Sequence, residues 1–365
     1  MKLECSIEKI KSALNNVERM TGKNLTLPVL GSILWIAKGN TLTLRSTNLS
    51  IGIEISIPAK VENEGTLAIR GDVLTSLFSV LISDSNISFE QKDNTLFVKT
   101  KTSKITLKTI SYEDFPTLPT VIGDEYTISS KSLYDGLKAV SYSAAVTEIK
   151  PEIGSVYIYP DGEYLVFVAT DSFRLAEKRI KVKQNFEFEG VLLPFKNVQE
   201  IIKVIENSSD NIDFIISKNQ AVFKLPGIYI TSRVVDGSFP DYKQIIPKNS
   251  TTTAIILKQD FLSALKVSNV LSDNFNQITI SVNPGKKECI MESKNNDIGE
   301  KSTSIVAALT GEDITLNFNY KYILDSFQSM NSDSISLEFY GANKPMIIKG
   351  VGDSTFLYVV MPMNR

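Results

Sequence analysis

Residues 169–176 read Ala169-Thr170-Asp171-Ser172-Phe173-Arg174-Leu175-Ala176. They follow the apolar run Leu165-Val166-Phe167-Val168, so a strand here runs into a polar Thr-Asp-Ser turn. The turn sets an aromatic side chain next to an arginine. Asp171, at a strand end, reads most simply as an Asx-turn residue. The expected companion of this stretch is the last apolar segment, Tyr358-Val359-Val360-Met361-Pro362-Met363.

The chain has 365 residues, enough for two or three domains. Hydrophobic residues are 42% and charged residues 22%, the balance of an ordinary soluble globular protein. Glu4, Glu8, Lys9 and Lys11 interrupt the first residues, so no signal-peptide core is expected. No run reaches the roughly 18 apolar residues of a membrane span. Cys5 and Cys289 are the only cysteines, which excludes a disulfide framework or a Cys-rich metal site. Histidine is absent, removing the commonest general acid/base and the commonest metal ligand. No cofactor is expected, and the expected location is cytoplasmic. The net charge of −2 makes no global appeal to nucleic acid, so a DNA-facing surface needs charges sorted onto one face.

Working outward, one order of elements occurs three times. In the first copy, Ile7, Ile10, Leu14, Val17 and Met20 form the stripe of an amphipathic helix. Strands follow at Leu42–Arg45, Ile51–Ile57 and Glu64–Ile69. A second helix carries Leu74, Leu77, Phe78 and Leu81, and strands at Ile87–Glu90, Leu96–Val98 and Ile105–Ile110 close the copy. The second copy has a helix over 131–145, strands at Val156–Tyr159, Tyr164–Ala169, Arg174–Val182 and Gly190–Leu193, and Pro194 as the first residue of another helix. Strands at Ile212–Phe214 and Ala221–Phe223 end it. In the third, Phe261, Leu262 and Leu265 mark a helix and Ile278–Val282 and Cys289–Met291 strands. Ile314–Phe318 then enters a helix at Asn319 bearing Ile323, Phe327 and Met330, before Ile335–Phe339 and the final strand.

The landmarks keep one spacing. Asn94, Asn219 and Asn343 stand 125 and 124 apart; Ile87, Ile212 and Ile335 stand 125 and 123 apart. Pro116, Pro240 and Pro362 stand 124 and 122 apart. The expectation is an α+β chain of three diverged copies, 1–123, 124–248 and 249–365, each with two helices and antiparallel sheets. Three such units can form an arc, and two arcs a symmetric ring that hides edge strands.

Five strings then carry a resemblance over the whole chain: Thr26-Leu27-Pro28-Val29-Leu30; Thr170 to Ala176; Phe239-Pro240-Asp241-Tyr242 before Ile246-Pro247; Phe318-Asn319 with Tyr322-Ile323-Leu324-Asp325; and the ending Tyr358 to Met363. The chain resembles the bacterial sliding clamps, the beta subunits of DNA polymerase III, and the three copies are then DNA-clamp-type domains. The resemblance implies a non-catalytic processivity factor. It implies a homodimeric ring on double-stranded DNA, held without sequence preference, with an ATP-driven clamp loader to open it. Replicative polymerase and other replication and repair proteins dock through clamp-binding peptides, and no membrane is involved.

The resemblance also assigns residues. The family's central motif is usually T-D-G-H-R-L-A. Thr170, Arg174 and Leu175 match it; Ser172 and Phe173 depart, and Phe173 in place of histidine reshapes the slot. Ile153, Pro240, Asn319, Tyr322, Pro345, Val359, Val360, Met361, Pro362 and Met363 fall at or beside the other peptide-pocket positions. An apolar slot with Met lining adapts to many partners. Gln244 stands where many relatives carry a base, which lowers the pull on acidic peptides. From pattern alone, Val359 and Met361 read as plain core-strand residues.

Basic residues expected on the inner helices are Lys9, Arg19, Lys23, Arg70, Lys131, Lys138, Lys196, Lys203, Lys258, Lys266 and Lys321. Lys131 and Lys138, like Lys196 and Lys203, are seven apart and share a helix face. Ordinary solvated helix surface accounts for the same lysines. Ile105 and Leu107 are expected to meet Val270 and Leu271 across the dimer contact; intradomain core is the other reading of Ile105 and Leu107.

Two other classes compete. A carboxylate hydrolase could use Asp171, Asp241 or Asp325, but no paired-carboxylate or Ser/His/Asp set assembles, and Gly285-Lys286-Lys287 lacks the frame of a phosphate loop. A repeat-built scaffold that never touches DNA is distinguished by ring closure and DNA-dependent stimulation of partners.

Overall fold

The computed structural model describes residues 1–23, 26–81, 86–147 and 149–363. Among these, six α-helices fall two to a copy. They are α1 (Ile7–Glu18), α2 (Gly71–Val80), α3 (Ser130–Ser141), α4 (Phe195–Ile205), α5 (Lys258–Val270) and α6 (Tyr320–Ser326). The stripe Ile7, Ile10, Leu14 and Val17 of α1 is buried, as is Met20 just beyond it. Each such side chain removed from water contributes about 1.5–3 kcal/mol. No helix among the described residues is long and apolar enough to cross a membrane.

Backbone contacts group the chain into two compact units. The first, Met1–Leu133 with Lys196–Val234, is built on one twelve-stranded sheet. Its path runs from the edge strand Lys104–Lys108 through Thr95–Lys99, Asn86–Lys92, Lys2–Ser6 and Ile51–Asn63 into Ile228–Arg233. It continues through Gln220–Leu225 and Asn211–Ile216 to Asp124–Ser129. Antiparallel pairing of Ile51–Asn63 with Ile228–Arg233, Ile53 opposite Ile230, joins the first copy to the second.

The second unit, Tyr134–Phe195 with Val235–Arg365, holds a nine-stranded and a four-stranded sheet. The nine-stranded order is Val191–Pro194, Ser155–Asp161, Tyr164–Thr170, Arg174–Lys181, Phe356–Val360, Met346–Gly350, Ser334–Phe339, Thr252–Leu257 and Ala307–Gly311. Arg174–Lys181 pairs with Phe356–Val360, Leu175 opposite Val359, which joins the second copy to the third. Tyr164–Thr170 is buried on both faces, hence its apolar run without alternation. Gly136 of α3 explains how closely the helix approaches that strand: a Cβ there would stand 2.4 Å from the Phe167 ring. The four-stranded sheet runs Gly299–Ser304, Glu288–Asn295, Gln277–Asn283, Ile314–Asn319.

Several expectations shift. Pro194 closes a strand opposite Ser155 and Phe195 opens α4, because the ladder still uses the Pro194 position. The helix expected to reach 145 stops at Ser141, where Ser143 and Ala144 N–H groups bond back to Val140 and Ser141 in single turns. Phe327 lies in a 3₁₀ turn after α6 and Met330 beyond it. The opening strands Lys2–Ser6, Asp124–Ser129 and Thr252–Leu257 have no counterpart in the sequence reading.

Candidate functional site

Asp171 forms the expected Asx turn. Its Oδ1 accepts from Phe173 N (2.9 Å) and Arg174 N (3.0 Å), while Thr170 Oγ1 donates to Arg174 O (2.7 Å) and accepts from Ser172 N (3.2 Å). Ser172 takes φ 76°, a left-handed conformation natural to glycine. The turn therefore presents Phe173 with its backbone fixed at both ends, since Met361 N donates to Phe173 O at 2.8 Å.

Arg174 anchors the turn from below. Nε donates to Asp171 Oδ2 (2.9 Å), one terminal nitrogen to Asp325 Oδ2 (2.6 Å) and the other to Tyr142 O (2.7 Å). Its guanidinium carbon lies 4.6 Å from the centre of the Tyr322 ring. Tyr358 donates to Tyr322 O at 2.6 Å, and burial holds its phenol pKa well above the ordinary value, so it remains a donor. Asn319 caps α6 by accepting from Lys321 N (2.9 Å), and Met363 N bonds Asn317 O (2.8 Å).

The pocket candidates thus sort by exposure. Ile153, Thr170, Leu175, Val359 and Val360 are buried. Val359 and Leu175 belong to a core cluster with Val166, Val168, Tyr242, Tyr340 and Ile347, so the core-strand reading of Val359 describes its packing. Arg174, Asn319, Tyr322, Pro345, Pro362 and Met363 are half-buried, and Ser172 and Pro240 are exposed. Phe173 is 60% exposed and Met361 37%; these two apolar side chains reach solvent above the buried floor. Phe275 was missed. It is 70% exposed, and the neighbouring Asn276 O accepts from Tyr320 N (2.9 Å), which sets it beside the start of α6. Its isolation in a polar loop gave no periodic signal.

Of the basic residues, Lys9, Arg19, Lys23, Arg70, Lys131, Lys138, Lys196, Lys203, Lys266 and Lys321 lie exposed on or beside the helices. Lys258 is half-buried and its ammonium donates to Met330 O, which ties it to the protein. Arg70 pairs with Asp72, and Lys203 with Glu200 at 2.9 Å, so carboxylates close by offset these two charges. Ile105 and Leu107 are half-buried on the edge strand, which pairs with Thr95–Lys99 alone among the described strands, and Lys104, Thr106 and Lys108 are exposed. Val270 is 69% exposed and Leu271 half-buried. Ile298 (66% exposed) lies in the neighbouring loop, which Asn295 ties to Ser272 O (3.0 Å).

Comparison with known proteins agrees with the fold. Three family models match in order: the DNA polymerase III beta subunit N-terminal domain over 1–119, the central domain over 127–241 and the C-terminal domain over 243–364. The chain is 28% identical over 375 residues to the beta sliding clamp of Synechococcus elongatus, covering all of this chain and 99% of that one. Against the Staphylococcus epidermidis clamp it is 26% identical over 363 residues, 96% of each chain. A crystal structure of the DNA polymerase sliding clamp from Bacillus subtilis superposes with a TM-score of 0.94 at 22% identity, covering 100% and 99% of the two chains. With three tandem clamp domains in family order, the chain belongs to the DNA polymerase III beta subunit family, whose members are processivity factors and not enzymes.

Proposed function

We propose that two copies of this chain close into a ring around double-stranded DNA and tether a replicative polymerase and other DNA enzymes through the pocket at 170–175 and 359–363. The observation that carries the pocket is the pair Phe173 and Met361, exposed, joined by a backbone hydrogen bond and standing over buried Leu175 and Val359. A rigid apolar slot of this kind holds an extended peptide at low entropic cost. Ile153, Pro240, Asn319, Tyr322, Pro345, Pro362 and Met363 complete its walls.

The ring rests on the edges. Lys104–Lys108 offers half-buried Ile105 and Leu107 between lysines, and the Gly299–Ser304 edge, whose preceding Asn295 is tied to Ser272 beside Val270 and Leu271, offers Glu300. Opposite charge and unpaired ladders suit an isologous pairing. In this reading the three copies are 1–123, 124–248 and 249–365. Exposed lysines on the helices give weak, sequence-independent attraction, which permits sliding. A clamp loader opens the ring, and the cytoplasmic location follows from work on the chromosome.

The test is fluorescence anisotropy of a labelled peptide of the Q-L-x-L-F type, with sedimentation run on the same protein. Saturable binding lost on Phe173→Asp, in a folded variant of dimeric mass, supports the reading. Unchanged binding by that variant overturns the pocket, and a monomeric mass for the unaltered chain overturns the ring.

A further inference from the structure

Beside the pocket lies a polar cluster that no contact with a peptide requires. Tyr242, only 4% exposed, donates its hydroxyl to Glu177 Oε2 at 2.5 Å and shares a 2.7 Å hydrogen bond with Tyr159 Oη. Arg179 faces the same carboxylate at 3.8 Å and Asp161 at 2.9 Å; Lys243 lies 5.3 Å from the centre of the Tyr159 ring. The Tyr242 ring packs in the cluster that contains Leu175 and Val359, the pocket floor. Phe239 stacks on Tyr157 at 5.0 Å, fixing the start of the same segment. Residues 239–246 thus pack through Phe239, Tyr242 and Ile246 on the cluster that contains Leu175, and they leave Pro240, Gln244 and the 54%-exposed Ile245 open to solvent.

We infer that the Tyr242–Glu177 hydrogen bond is a positioning device, setting the height of the 239–246 wall against the pocket floor so that a docked peptide meets a formed slot. The inference deepens the docking reading above and rests on it. A buried phenol on a carboxylate is a strong, directional bond. Burial, then Glu177 itself, raises the Tyr242 pKa, so the hydroxyl remains a donor throughout the working pH range. The wall's other ties are the Phe239–Tyr157 stack and a Lys243–Asp161 pair at 4.0 Å, while Tyr242 N bonds back to Pro240 O and Gln244 Nε2 to Asp241 Oδ2 within the segment. Tyr242 is itself buried; it acts through Pro240 and Ile245.

The test pairs peptide anisotropy with amide hydrogen exchange over 239–246. Tyr242→Phe keeps the ring and removes the bond; Glu177→Leu removes the acceptor and leaves Tyr242 intact, which serves if the first variant does not fold. Glu177→Gln keeps an acceptor. Expected are a loss of about ten-fold in affinity with faster exchange in the segment for the first two, and near-normal values for Glu177→Gln. Normal affinity despite faster exchange, unaltered exchange, or equal losses in all three variants overturns the device. Absence of binding by the unaltered protein overturns the docking reading and this role with it, and is told apart because it precedes any substitution.

Discussion

The turn at Thr47–Ile51, in the first copy, and the turn at Thr170–Arg174, in the second, are one structure built twice. Thr47 Oγ1 bonds Ile51 O (2.9 Å) as Thr170 Oγ1 bonds Arg174 O (2.7 Å). Asn48 Oδ1 accepts from Ser50 and Ile51 N–H as Asp171 Oδ1 accepts from Phe173 and Arg174 N–H. Leu49 has φ 73° where Ser172 has 76°. Ser50 O accepts from Arg233 N across one seam and Phe173 O from Met361 N across the other, both at 2.8 Å. What differs is the third residue of the adjacent helix. In α4 it is Asn197, 3% exposed, whose amide donates to Ser50 O, Ser50 Oγ and Ser232 Oγ and fills the seam with polar bonds. In α6 it is Tyr322, which lies against Arg174 and leaves Phe173 and Met361 uncovered. The backbone is shared scaffold; a few side chains decide whether a seam is sealed or open.

The largest break in this comparison is Arg174→Ala. The arginine has no counterpart at the first seam, where Ile51 stands, and it satisfies Asp171, of which 15% of the side chain is exposed. Its loss leaves that carboxylate buried without its cation, at a cost of about 3 kcal/mol, reduced somewhat because Asp325 is 42% exposed and recovers water. Urea unfolding measures it, and peptide affinity falls with it. Arg174→Lys restores little, because one ammonium cannot reach three acceptors in a fork. A stable Arg174→Ala variant with intact binding would show that the turn needs no support from below.

Asn197→Ala is the matched break at the sealed seam. Three donated bonds end and Ser232 Oγ loses a partner, an expected loss of about 2 kcal/mol. Peptide affinity is expected to remain at the wild-type value, since polar bonds from Asn197 fill this seam. A loss of affinity would mean that both seams contribute to binding.

Much of this was legible in the sequence. The three-fold spacing, the amphipathic stripe of α1 and the Thr-Asp-Ser turn each depend on local pattern, and local pattern survives in one dimension. Phe173 and Met361 were named by position, and the structure adds that they, rather than Val359 and Val360, reach solvent. Arg174 was read as lining the pocket; its partners Asp325 and Tyr142 come from distant segments, which no spacing reveals. Lys258 looked like any helical lysine until Met330 O lay against it. Exposed Phe275 and Ile298 were passed over because single apolar residues in polar loops carry no period. The opening strands of the first two copies escape the pattern for a related reason: Lys2–Ser6 and Asp124–Ser129 are short and rich in charge, and become strands only because neighbours pair with them.

The smallest effect sharpens the comparison most. A left-handed conformation costs an L-residue about 1–2 kcal/mol, and glycine escapes that cost while losing about 0.5–1 kcal/mol through its freer unfolded chain. Leu49→Gly and Ser172→Gly should therefore each stabilise by up to about 1 kcal/mol, read as a shift in the urea midpoint at constant slope. Leu49 gives up some side-chain contact, being 47% exposed, so its gain is the lesser of the two. Ser172→Gly restores the residue usual in the family's motif and keeps every hydrogen bond the turn makes through Thr170 and Asp171. If both gains appear and peptide affinity is unchanged, the two turns are energetically one scaffold and the pocket's identity lies in Phe173 and Tyr322. If Ser172→Gly instead destabilises, the serine has a role of its own at the open seam that Leu49 lacks, and the equivalence ends at the side chains of that single position.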